Sequence, residues 1–270
     1  MSNPVLNKVT QSSGQSQNPY AGFNQQPQPY SYPQSGYGAA PTPANPALAS
    51  LAGLASKLGG LMLVTFIVAV LAVRTMPELD RTATLIALGG SGITAIICSI
   101  LLVKKPKIGG PVAGLLAVAE GIMAGAITAV AVDMTSRYEL VWMALAATAG
   151  TFAAMYVLFA TGIIKATQKF RAVVGAAVLA IGIFYLFAFV MSIFGVEAPL
   201  IFSSSGFGIA FTVGVIIIAA LTLVIDFDDA RNIIGRAPKE YEWAVAGGLL
   251  VSLVWLYIEF LRLLMKLQSR

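Results

Sequence analysis

Read for hydrophobic and polar positions alone, the chain falls into long apolar runs separated by short charged punctuation. Leu58 to Val73 lies between Lys57 and Arg74, and Thr82 to Val103 between Arg81 and Lys104. Ile108 to Val132 is broken only by Glu120, and Leu140 to Ile164 carries no charge. Ala172 to Val196 and Ala198 to Ile225 are separated by Glu197, and Trp243 to Met265 contains Glu259 and Arg262. About 20 apolar residues cross ~30 Å of hydrocarbon as a helix. The runs therefore predict seven membrane spans, at about 58–74, 82–103, 109–132, 140–164, 172–196, 204–227 and 243–265. The first charge-free run has only 16 residues, but it extends backwards through Ala47 to Ser56 if Lys57 snorkels to the interface.

Residues 1–46 have a different pattern. They hold eight of the chain's 13 prolines, four tyrosines, much of the Gln, Asn and Ser, and one charge, Lys8. Such a segment buries too little apolar surface to offset its ordering entropy and reads as a disordered Gln/Pro/Tyr-rich tail. It has no apolar core of the kind that marks a signal peptide. The predicted architecture is thus all-α: this tail, then a seven-helix transmembrane domain over 47–270.

Composition agrees and narrows the chemistry. Of 270 residues, 57% are hydrophobic and 11% charged, against roughly 25% charged in soluble domains. The 26 glycines are spread through the apolar runs, which suits helices approaching closely in lipid. The net charge of +5 sits in loops, so it reads as topology and not as a nucleic-acid surface. With the N-terminus cytoplasmic, the inside loops carry Lys104, Lys105, Lys107, Lys165, Lys169, Arg171, Arg231, Arg236 and Lys239, and the opposite ones Arg74, Arg81 and Arg137. Nine against three favours that orientation, although the basic C-terminal end argues the other way. With no histidine and one cysteine, Cys98, there is no Ser-His or Cys-His nucleophile, His-ligated zinc or thiolate cluster. No covalent chemistry and no bound cofactor is expected, and proton chemistry falls to carboxylates. A carboxylate in an apolar setting holds its proton to higher pH than one in water.

Ionisable groups inside a membrane mark function by default, since burial there costs at least ~2.5–3.5 kcal/mol. Glu120 is the thirteenth of the 25 residues from Ile108 to Val132. It shares a face with Ala113, Ala117, Ala124 and Thr128, beside the Gly121–Gly125 pair, so it should point into the bundle. A protonatable pathway group and a protonated structural link are both open readings. Asp226, Asp228 and Asp229 close the sixth span, with Asp226 and Asp229 on one face and Asp228 on another. Their spacing is not that of an EF-hand loop, and an acidic helix end solvated at the interface is the alternative. Glu259 lies well inside the seventh span, on a polar side running Ser252, Glu259, Arg262, Lys266. A local i,i+3 pair with Arg262 is the plain reading there.

Val224-Ile225-Asp226-Phe227-Asp228 together with Trp255-Leu256-Tyr257-Ile258-Glu259-Phe260-Leu261-Arg262-Leu263-Leu264 resembles the Bax inhibitor-1 family. The Met1-Ser2-Asn3-Pro4-Val5 start, Ala119-Glu120-Gly121 and Ala237-Pro238-Lys239-Glu240-Tyr241-Glu242-Trp243 look like its actinobacterial branch. The resemblance implies a seven-helix bundle with the last helix central, in a bacterial plasma membrane. It also implies a pH-dependent calcium or cation leak gated by two aspartates, one ending the sixth helix and one in the seventh, with deprotonation opening the path. The first maps onto Asp228 through the shared Phe-Asp, with Asp226 as the alternative. The second maps onto Glu259, a Glu in place of Asp. Matched by depth from Trp243 it would instead fall near Val251 or Ser252, which leaves Glu120 as a replacement partner. Asp228 and Glu259 are then the expected calcium ligands. Arg81 is the candidate for the family's second-helix arginine. Some bacterial relatives modulate a membrane protease, so a regulatory protein with a membrane-protein partner is the alternative function.

Overall fold

The computed structural model describes residues 48–195 and 204–269. The tail at 1–46 lies outside them. Among the described residues the long elements are α1 (Leu51–Thr75), α2 (Arg81–Lys104), α3 (Gly109–Thr135), α4 (Glu139–Ala160), α5 (Gln168–Ile193), α6 (Gly206–Ile233) and α7 (Tyr241–Gln268). All seven are long and apolar enough to cross a membrane. Side-chain oxygens cap several of them: Ser50 accepts from the Gly53 N–H, Asp80 from Ala83, Thr167 from Phe170 and Ser205 from Gly208. Pro77 and Pro106 sit at the starts of single 3₁₀ turns before α2 and α3, where the missing N–H costs nothing.

The last helix is central. It packs against α1, α2, α3, α4 and α6, and 61% of its most apolar stretch is buried, as in α3, against 11% in α5. Outward-facing Leu63, Ile86, Val103, Leu179 and Phe187 are exposed, the surface that lipid requires. α3 reaches its depth because two glycines let α1 come close. A Cβ on Gly125 would stand 2.5 Å from the Ala69 carbonyl oxygen, and one on Gly121 would stand 2.7 Å from Val68 Cβ. Thr65 Oγ1 donates to the Ala117 carbonyl across the same contact, at 3.0 Å. Trp243 lies against Gly109, and Tyr257 bonds Thr128 at 2.8 Å, so α3 and α7 run parallel. α6 runs antiparallel to α7.

The start of α1 is strapped to the turn before α7. Ala49 N–H donates to Ala237 O at 2.9 Å and Gly235 N–H to Ala49 O at 2.8 Å. Ser50 N–H and Lys57 Nζ each donate to the Glu242 carboxylate at 2.7 Å. Lys57, expected to snorkel outward, instead turns inward because that carboxylate receives it, and only 13% of its side chain is exposed. The charge is matched locally, so α1 continues back to Leu51.

Candidate functional site

Three polar layers lie along α7, set by side chains seven residues apart: Ser252 and Lys266, which bond α6, and Glu259, which bonds α5. Seven residues make almost two helical turns, so the three share one face and stand about 10 Å apart along the axis.

The first layer lies near the middle of α7. Ser252 Oγ donates to Asp226 Oδ2 at 2.5 Å, and Thr222 Oγ1 donates to Ala219 O at 2.7 Å while lying 3.2 Å from Ser252 Oγ. Asp226 thus points from α6 across to α7, with Gly248 beside it: a Cβ there would be 3.5 Å from Asp226 Oδ1 and meet nothing else within 4 Å. In the second layer Arg262 donates to Glu259 Oε1 at 2.9 Å and to Tyr185 Oη at 2.6 Å. Tyr185, from α5, in turn donates to Glu259 Oε1 at 2.8 Å. Glu259 is fully buried, and its Oε2 has no partner. In the third layer Lys266 Nζ donates to Gly208 O at 2.9 Å and Thr212 Oγ1 at 2.8 Å.

Asp228 is elsewhere. Two residues along a helix is a rotation of about 200°, which turns it from α7 toward α5. There Arg171 pairs with both Asp228 (2.6 Å) and Asp229 (2.7 Å). A cavity of about 250 Å³ opens beside this cluster, its lining including Lys165, Thr167, Asp228 and Arg231. Asp228 and Glu259, expected to face each other and to share a calcium ion, are therefore not brought together. Glu259 lies two turns beyond Ser252, and Asp228 lies toward the other end of the bundle. Among the described residues no three His, Cys, Asp or Glu side chains converge as a metal site. Glu120 is 3% exposed and points inward. Its face-sharing neighbours Leu116, Ala117 and Ala124 pack with Leu61 of α1 and with Leu250 and Val254 of α7. It is thus on the opposite side of α7 from Ser252, and no hydrogen bond or ion pair joins it to another described residue. The side chain of Arg81 lies outside the described residues.

A model of the family described as "Bax inhibitor 1 like" matches residues 3–269. The chain belongs to the Bax inhibitor-1 family. No curated protein matches it. Within this Bax inhibitor-1 fold, the contact between the end of the sixth helix and the seventh is made by Asp226 with Ser252, one carboxylate and one hydroxyl. Sequence reading singled out Asp226, Asp228, Glu259 and Glu120 but could not tell which met which. Tyr185 and Thr222 carried no signal, being weakly polar residues in apolar runs, and Arg171 read only as a topology charge. The one available sign was the seven-residue repeat of Ser252, Glu259 and Lys266.

Proposed function

We propose that the protein is a pH-dependent cation leak of the bacterial plasma membrane, calcium being the first ion to test, with its N-terminus cytoplasmic and its path along the α6–α7 interface. The observation that carries this is the Asp226–Ser252 hydrogen bond: a carboxylate near the end of the sixth helix, joined across two helices, in line along α7 with two further polar layers. With Asp226 protonated, the α6–α7 contact is neutral and offers a cation nothing. Deprotonation leaves a charge that the low-dielectric interface stabilises poorly, drawing in water and a cation. Leak then rises with pH. Asp226 is the gate, Asp228 guards the mouth through Arg171, and Glu259 is the deeper station. Glu120, on the other side of α7, is a second protonatable group of the bundle. The reading is non-enzymatic.

The test is calcium entry into dye-loaded proteoliposomes between pH 6 and 8. Wild type should leak more at pH 8 than at pH 6. Asp226→Asn should lose that dependence, while Asp228→Asn changes the rate and keeps it. No flux above empty liposomes at any pH, with folded protein, sinks the leak.

The strap of Ala49 and Ser50 onto the turn before α7 favours a second reading, in which a membrane-protein partner engages the N-terminal segment and acts on the central helix. Deleting residues 1–46 separates the two: a leak survives it, and a partner-dependent regulator does not.

A further inference from the structure

Asp226, Ser252 and Thr222 place four side-chain oxygens at one interhelical point, and they carry a single negative charge. The Thr222 hydroxyl donates to the Ala219 carbonyl at 2.7 Å and reaches Ser252 Oγ as a donor at 3.2 Å; with its hydrogen on the carbonyl, its lone pairs are left for an ion. The serine hydroxyl can do likewise toward its own helix. At Gly248 the missing side chain leaves a methyl-sized gap beside Asp226 Oδ1.

The charge around this point is settled elsewhere. The charges acting on Asp226 are Asp229 on its own helix and Arg171 from α5, and those two are paired with each other at 2.7 Å. α7 presents Ser252 here, its nearest acid, Glu259, being two turns away and already held by Arg262 at 2.9 Å. α4 presents aromatic rings packed on Phe227: Phe152, Tyr156 and Phe159. α1 contributes Leu58.

We infer that Asp226, Ser252, Thr222 and the gap at Gly248 form a binding site for one monovalent metal cation, with sodium as the probe ion. A monovalent ion cancels the one carboxylate charge. A calcium ion would leave one positive charge uncompensated in a low-dielectric interface, and it takes 6–8 oxygens, usually with more than one carboxylate. The inference rests on the same site as the proposed leak, but it concerns what occupies Asp226 and not whether anything crosses. A bound sodium ion competes with the permeant ion for that carboxylate.

The test is thermal unfolding of the full-length protein in detergent at pH 8, in choline, sodium, potassium and calcium chlorides at matched ionic strength. Wild type should gain about 2–4 °C in sodium over choline, and calcium should add nothing. Potassium in place of sodium would support the same class of site and reset the probe ion. Asp226→Asn should abolish the gain. Gly248→Ala, which removes no oxygen and fills only the gap, should abolish it while keeping the melting temperature in choline. Ser252→Asp should add a calcium response by supplying the second charge. Equal melting temperatures in all four salts overturn the inference, as does a sodium gain that survives both Asp226→Asn and Gly248→Ala, or a calcium gain in wild type. Because no flux is measured, failure of the leak in proteoliposomes leaves this result standing, and the reverse holds too.

Discussion

Single residues in this bundle differ sharply in what they tolerate, and the glycines of α3 make the contrast. At Gly125 a side chain would meet Ala69 O at 2.5 Å, whereas at Gly114 it would meet nothing within 4 Å. Gly125→Val should therefore destabilise by about 1–3 kcal/mol, the usual range for overpacking. Gly114→Ala should be neutral or slightly stabilising because a helix prefers alanine by up to ~1 kcal/mol. Melting curves in detergent compare the two directly. Glu242 is a second case: its side chain is fully buried against Lys57. Removing one partner of a buried pair costs roughly 3–5 kcal/mol because the other is left uncompensated. Glu242→Gln should lower stability accordingly, and adding Lys57→Met should recover part of the loss in a double-mutant cycle. Neither contact was legible in the sequence. A GxxxG spacing points to close packing without naming the partner, and Lys57 looked like an interfacial charge because its acid lies 185 residues away.

Whole helices were far easier to read than their partners. Apolar length alone marks a span, since hydrocarbon requires every backbone N–H and C=O to be satisfied within it. The seven-helix, all-α architecture therefore followed from run lengths, while azimuth did not: Asp226 and Asp228 differ by two positions yet face α7 and α5. The weakest-held helix is α5, most of whose surface faces outward. Its polar attachments include Arg171 to Asp228 and Asp229 at one end and Tyr185 to Glu259 and Arg262 further along. Tyr185→Phe removes a hydrogen bond to a charged group, worth about 1.5–3 kcal/mol. Amide exchange in the middle of α5 should speed up by roughly ten-fold or more, with α3 unchanged. Equal acceleration in α3 would mean that the tyrosine supports the whole bundle and not this helix.

At the scale of the molecule, the placement of the last helix decides most of what the others can do. It touches α1, α2, α3, α4 and α6, so its acid-bearing face and its apolar face serve two different sides of the bundle. The loop cations that suggest a cytoplasmic N-terminus predict a measurable result: with an odd number of spans, a tag at residue 1 should resist protease added to intact cells, and one at residue 270 should be cut. The opposite pattern would invert the proposed orientation and leave the fold untouched. The clasp of Ser50 and Lys57 on Glu242 has a consequence for how the chain is made. α1 carries a buried lysine whose partner is synthesised 185 residues later. Until α7 arrives, that cation and the parts of α3 that meet Trp243 and Tyr257 have no cover. A chain stopped before Tyr241 is therefore not a slightly shorter version of this protein but an open-sided intermediate, and the cell's membrane proteases should find it quickly.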